Sequence, residues 1–489
     1  MRHFILAASM LSLIACSQPV APIDGRDDIE VILSLSPAQS PAVQRLHNEV
    51  LSITPGLSVP ETESRLDGVD RAAEEMGEGG KALLAASRLT RAEKLKQLND
   101  VTALELAKLA LADLTSLGLQ DSAAALEARE VIITAGDDEA EHAEQLAEIL
   151  AAKTALHGAT SPRLADTHLA LAGLNYAAQD FDKVRAELEN VFALTSDQTT
   201  DLIAMDMRIA AYTRSSSAYH DEGRAKEAIA SAEAGLALAR EHFDDDYPRL
   251  GELLANYAAG LYRGARHQDA VNTGREAIRA VESQLDGKPS TSLGIAMVNL
   301  AAAEHGTGNH AGADRMFMAA YETFLEMGGE TNRGYAGASL DNAAKAANDL
   351  GRLEEADERY LKAQELLIES LGEDHINLSL SYLTHADTLY RLGDYERTQQ
   401  VGNQAADILA KHIGEDNLYT RLARSTALLG QAELDPQSVR TSVREQTDRA
   451  EAVMRDAILS AEGWNQTASN MRLSLNQLVL TALTAGETD

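Results

Sequence analysis

A period of 42 to 44 residues runs through the middle of the chain and constrains its fold more than any other feature. Turn-forming residues recur at Gln179, Gly223, Ala265, Gly308, Gly351 and Gly393, with spacings of 44, 42, 43, 43 and 42. Seven residues before each turn stands a small residue: Ala172, Ser216, Ala258, Ala301, Ala344 and Ala386. Five residues after it come Val184, Ala228, Ala270, Ala313, Ala356 and Thr398. Twelve after it, from the second turn onward, come Gly235, Ala277, Ala320, Ala363 and Ala405. Small side chains at fixed distances on both sides of a turn predict two antiparallel helices in close approach, each pair stacked on the next. Two residues past the turn, Phe181, Leu353 and Tyr395 offer a bulkier wedge, where His267 and His310 occupy the same slot.

From about Glu61 onward the chain is rich in Ala, Leu, Glu and Gln, and no alternation of apolar and polar residues persists. The class is therefore all-α. With 489 residues, a repeat array is favoured over one compact core. Six of the ten prolines lie in the first sixty residues, and none falls between Pro60 and Pro162. The resulting division is a leader over 1–15, a tether over 16–40, an N-terminal helical region over 41–120, repeats over 121–435 and capping helices over 436–489. A weaker repeat with Gly136 as its turn precedes the six clear ones, and Trp464 stands between the two expected capping helices.

The small-residue pattern resembles the tetratricopeptide repeat, whose usual period is 34 residues. The surplus of about eight residues, roughly one extra turn per helix, is similar to the longer kinesin-light-chain type. The connectors Leu371-Gly372-Glu373-Asp374-His375 and Ile413-Gly414-Glu415-Asp416-Asn417 resemble that family's link, although proline is missing from both. The resemblance implies a right-handed superhelical solenoid of antiparallel helix pairs, with the first helix of each pair facing a concave groove. In that position the family places an asparagine that bonds the backbone of an extended peptide. Asn256, Asn299 and Asn342, 43 residues apart and each nine before its turn, match it; Thr384, Arg214 and Ala170 depart from it. Carried over by register, Tyr262, His305, Lys345, Asn348 and Tyr390 join the expected groove, with Asp341, Asp349, Arg263 and Arg391 beside them. An amide suits such a task because it offers both a donor and an acceptor to a peptide unit. Amides bonding neighbouring helices would satisfy the same pattern.

The start of the chain reads as an export signal. Met1 and Arg2 precede an apolar or small-residue run from Phe4 to Ala15, too short for a spanning helix. Leu13-Ile14-Ala15-Cys16 resembles the bacterial lipobox, which implies cleavage before Cys16 and lipid on its sulfur. Cys16 is the only cysteine, so no internal disulfide can form. Ser17 after it implies an outer-membrane location facing the periplasm. A flexible coil over residues 17 to 40 would reach about 25 to 30 Å.

Charge narrows the partners. Lys plus Arg against Asp plus Glu is 43 − 76 = −33, which disfavours nucleic acid and anionic lipid surfaces. Neutral or basic protein partners fit better. No nucleophile elbow, HExxH, Walker loop or CxxC occurs, and Gly306-Thr307-Gly308-Asn309 lacks the preceding strand of a phosphate loop. His267 and His310, one repeat apart, are expected about 10 Å apart, too far to share a metal. The sequence thus assigns no catalytic residue, cofactor or metal. It points to a membrane-anchored, non-enzymatic scaffold binding a protein or extended peptide. A self-associating envelope component, or an accessory factor of an envelope enzyme or secretion complex, remains the alternative, and the oligomeric state is unknown.

Overall fold

The computed structural model describes residues 26–35, 41–96, 102–136, 142–196, 199–285 and 287–439. Cys16, the expected leader and the expected capping helices with Trp464 lie outside the described residues. Among the described residues there is no β-strand, and the fold is all-α. No helix among them is long and apolar enough to cross a membrane.

In chain order the helices are α1 (Arg26–Leu33), α2 (Pro41–Leu51), α3 (Val59–Glu75), α4 (Lys81–Lys96), α5 (Thr102–Ser116), α6 (Ala123–Ala135) and α7 (His142–His157). Then come α8 (Ala165–Ala177), α9 (Phe181–Leu194), α10 (Leu202–Asp221), α11 (Ala225–His242), α12 (Leu250–Arg263) and α13 (His267–Leu285). The last are α14 (Thr291–Gly306), α15 (His310–Met327), α16 (Glu330–Asp349), α17 (Leu353–Leu371), α18 (Ile376–Leu392), α19 (Tyr395–Ile413) and α20 (Leu418–Leu434). They form two compact units, residues 1–264 with 276–288 and residues 265–275 with 289–489, so the division falls inside α13.

The repeat register is reproduced residue by residue. All six turn residues have positive φ, and Gln179 (57°) and Ala265 (59°) are the only non-glycines that do so among the described residues. A left-handed residue after a helix lets two amides fold back on the last carbonyls. The second of those bonds recurs as Asp180 N–H to Asn175 (2.9 Å), Arg224 to Tyr219 (2.8 Å), Asn309 to Glu304 (2.9 Å), Arg352 to Ala347 (2.9 Å) and Asp394 to Leu389 (3.0 Å). The same residue then starts the next helix. Asp180, Asn309 and Asp394 accept a backbone N–H three residues on, relieving one unpaired amide of the first turn.

The predicted small positions are buried without exception, Ala172, Ala258, Ala301, Ala344 and Ala386 completely. Their purpose is backbone approach. Ser216, at the same slot, donates its hydroxyl to the Ala228 carbonyl of the partner helix at 2.9 Å. A Cβ added at Gly402 would stand 2.9 Å from the Ala427 nitrogen. A larger side chain at such points forces the helices apart, a destabilisation of about 1–3 kcal/mol.

Two expectations need correction. Residues 26–33, expected within the tether, form α1, whose Ile32 and Leu33 are buried in the first unit's core with Leu66, Leu83 and Leu89. The reach calculated for a coil from 17 to 40 therefore does not apply to them. Gly136 ends α6 but is extended (φ −92°, ψ 160°), so it is not the left-handed turn of the later hairpins.

Candidate functional site

The residues expected to line a groove were found by register, and their partners decide what they can do. Asn256, half-buried on α12, donates its amide to the Thr213 carbonyl (3.3 Å) and the Ser217 hydroxyl (2.9 Å) of α10. Asn342 donates to the Ala338 carbonyl one turn back on its own helix at 3.0 Å. Asn299 is half-buried on α14. Tyr262 is half-buried and Lys345 exposed.

Three to two residues before each turn, side chains bond across consecutive first helices. In the first unit Tyr176 donates to Asp221, and the Arg263 Nε lies 3.3 Å from the His220 Nε2. In the second, His305 lies 2.7 Å from Asp349, Arg391 donates to both oxygens of Asn348 (2.7 and 2.9 Å), and Tyr390 donates to Glu433 at 3.0 Å. Burial and the Glu433 partner push the Tyr390 hydroxyl up to about 12, so it stays a donor. Asn348 is 6% exposed, and its amide also reaches Asp387. It ties α16 to α18 and leaves little for a ligand, against its expected role in the groove. His305 and Tyr390 are likewise engaged between helices.

Asp341 is different. One carboxylate oxygen is buried with no hydrogen-bond partner, and burial raises the group to about 6 against the opposing pull of Ser381 and Lys345. A carboxyl held this way is an unspent acceptor beside Asn342 and Lys345 on α16.

The first unit contains a constellation that the small-residue period does not mark. A cavity of about 200 Å³ is walled by apolar side chains, among them Ile29, Val50, Leu51, Leu89 and Met207, and floored by charges. Lys96 pairs with Asp166 (3.0 Å), and Lys153 pairs with Glu127 and Glu130 (both 2.9 Å). Arg249 meets Asp206 through two bonds, and the Tyr247 hydroxyl donates to Asp206 at 2.7 Å. Burial, then the Glu127 and Asp166 charges, push Glu93 up to about 8. Glu130 is raised too, by burial first, while Lys96 and the other nearby groups hold Asp166 below the usual carboxylate range. Four carboxylates against two lysines leave excess negative charge, so retaining a proton on the buried acids costs less than ionising all four. Asp206 and Arg249 stand one repeat of 43 residues apart, but the acids and lysines around Lys153 follow no fixed spacing, so periodicity could not have found them.

One segment of the chain already lies on this surface. Between α2 and α3, the Thr54 and Pro55 carbonyls accept the Lys94 ammonium of α4 (3.1 and 2.6 Å), and the Val59 N–H donates to the Gln284 side chain at 3.0 Å. Gly56 lies so close to Phe243 that an added Cβ would be 2.7 Å from the ring.

Residues 335–411, from α16 to α19, match the tetratricopeptide repeat. Over that stretch the chain is of tetratricopeptide-repeat type, and the same turn register runs from Gln179 to Gly393. No curated protein matches it. Among solved structures, BtubC (BKLC) from P. vanneervenii is 18% identical, covering 46% of this chain and 87% of that one, with a TM-score of 0.39. A Rap protein complexed with competence and sporulation factor is 16% identical over 82% of this chain and 99% of that one (TM-score 0.49). The apo quorum sensor NprR from B. thuringiensis is 13% identical over 69% and 97% (TM-score 0.45).

Proposed function

We propose that the chain is a non-enzymatic scaffold that holds a protein, or an extended segment of one, on the helix faces of its repeats. The observation that carries this reading is the segment from Thr54 to Val59. Helix-borne Lys94 and Gln284 hold its backbone carbonyls and N–H, and Phe243 covers its glycine. This is recognition of main chain by side chains, independent of the bound segment's own side chains. Asn299, Asn342, Asp341 and Lys345 offer the same kinds of group in the second unit. The net charge of −33 favours a neutral or basic partner.

The anchor belongs to the same proposal. Lipid on Cys16 would place the scaffold at an envelope membrane, the outer membrane facing the periplasm being the reading that Ser17 favours. The test uses the full chain extracted from membranes, wild type against a variant with Asn256, Asn299 and Asn342 all changed to Ala, each used to capture envelope proteins. Wild-type capture lost in a variant with unchanged helical content supports binding through these amides; unchanged capture overturns it. In parallel, Cys16→Ser should move the chain from the membrane to the soluble fraction, and retention would refute the lipid anchor.

A further inference from the structure

The turn between α14 and α15 brings together three side chains that the sequence keeps apart. His305 ends in the last turn of α14, His310 opens α15, and Asp349 closes α16. The His305 Nε2 lies 2.7 Å and the His310 Nδ1 3.9 Å from the same Asp349 oxygen, and the three potential ligand atoms lie within 4.8 Å of one another. The two rings meet edge to face with centroids 4.7 Å apart. The His310 Nδ1 is buried and has no hydrogen-bond partner, an unspent lone pair or proton beside a carboxylate.

We infer that His305, His310 and Asp349 form a binding site for a divalent cation of the Zn²⁺ type, clipping the α14–α15 hairpin to α16. Two imidazoles and one carboxylate are a donor set for Zn²⁺, with a fourth position left to water. In tetrahedral coordination with bonds near 2.0–2.1 Å, neighbouring ligand atoms stand about 3.4 Å apart. The separations of 2.7 and 3.9 Å fall on either side of that value and the third lies within 4.8 Å, so closing the site calls for side-chain adjustment.

The backbone is already set for this. Gly308 N–H bonds the His305 carbonyl at 2.9 Å, Asn309 N–H bonds the Glu304 carbonyl at 2.9 Å, and Asn309 caps α15 through the Gly312 N–H at 3.1 Å. The turn therefore fixes the two histidines before any ion arrives. By spacing His310 is equivalent to His267 one repeat earlier, but its partners lie across the hairpin turn and one repeat later. The site is independent of the scaffold reading above.

The full chain, stripped with chelator, is titrated with Zn²⁺ by calorimetry at neutral pH and with Co²⁺ by visible absorption. The expected result is one tight equivalent, a tetrahedral Co²⁺ band and a raised Tm with Zn²⁺. Removing a ligand should weaken binding by about tenfold or more, the scale on which even an outer partner's loss registers. His310→Ala and Asp349→Asn should each show this with unchanged circular dichroism, while His375→Ala and His412→Ala, at remote histidines, should bind as the wild type does. Absence of binding overturns the site, as does affinity unchanged in the His310→Ala/Asp349→Asn double variant or lowered by the remote variants.

Discussion

At Glu93 the fold keeps a carboxyl protonated where water would ionise it. Burial, with Glu127 and Asp166 close by, raises it from 4.5 to about 8, against the pull of Lys96 and Lys153. Between those two values the folded state holds a proton that the unfolded chain has released. The stability from this group is therefore complete below the unfolded value and is lost as pH rises through about 8. Glu93→Gln keeps the neutral shape at every pH. The variant is expected to match the wild type near pH 5 and to exceed it at pH 9. His47 and His220, both lowered by burial, titrate in both proteins and cancel in the comparison. Urea midpoints of the pair at pH 5, 7 and 9 check this; a difference that does not change with pH refutes it. Site residues were only half legible in the sequence. Register located Asn256, Asn348 and His305, but not their partners, because a repeat specifies position and leaves the bonding to the next repeat's side chain. A signal did exist: His220 faces Arg263, His305 faces Asp349 and Asn348 faces Arg391, complementary pairs 43 or 44 residues apart. The buried ion cluster around Lys153 carried no such signal.

At the scale of a helix pair, the turn is where sequence and backbone agree most closely. The six turn residues of the clear repeats are all left-handed, including two that are not glycine, whereas Gly136 of the weaker repeat is extended. For an L side chain that conformation costs about 1–2 kcal/mol, and glycine returns part of the gain through its freer unfolded chain. Gln179 and Ala265 are exposed, so replacing them removes no buried contact. Gln179→Gly and Ala265→Gly should each stabilise the protein by about 0.5–1 kcal/mol. Gly351→Ala tests the converse: a Cβ there meets nothing within 4 Å, so its expected loss of about 1 kcal/mol reports backbone strain alone. Chemical denaturation of the three variants measures all of this, and a stabilising Gly351→Ala would contradict it. These hairpins were legible because their determinants, a turn and three small positions, are local and recur. The first 120 residues lacked that redundancy. There the helices pack with no fixed spacing between equivalent residues, and one bond, Val59 to Gln284, spans 225 residues.

At the scale of the whole molecule, the question is where the folded body begins. Composition sets the start near residue 41, inside the proline-rich first sixty residues. Yet α1 contributes Ile32 at 0% exposure and Leu33 at 2% to the first unit's core, and Ile29 packs against the same cluster. Proline density marks where regular structure is interrupted, and an eight-residue helix fits between such interruptions. Burying each of the two side chains is worth about 1.5–3 kcal/mol, so removing α1 should cost about 3–6 kcal/mol before the surrounding core relaxes. A chain starting at residue 41 should therefore unfold at lower denaturant than one starting at residue 26, with greater binding of a hydrophobic dye where Leu66, Leu83 and Leu89 lose their cover. Equal midpoints would mean that α1 adds nothing to the body. The same boundary bears on the proposed anchor. If lipid is carried on Cys16, nine residues, 17–25, separate it from α1. Even fully extended they span at most about 30 Å, so a partner held by the first unit would be held close to the membrane surface.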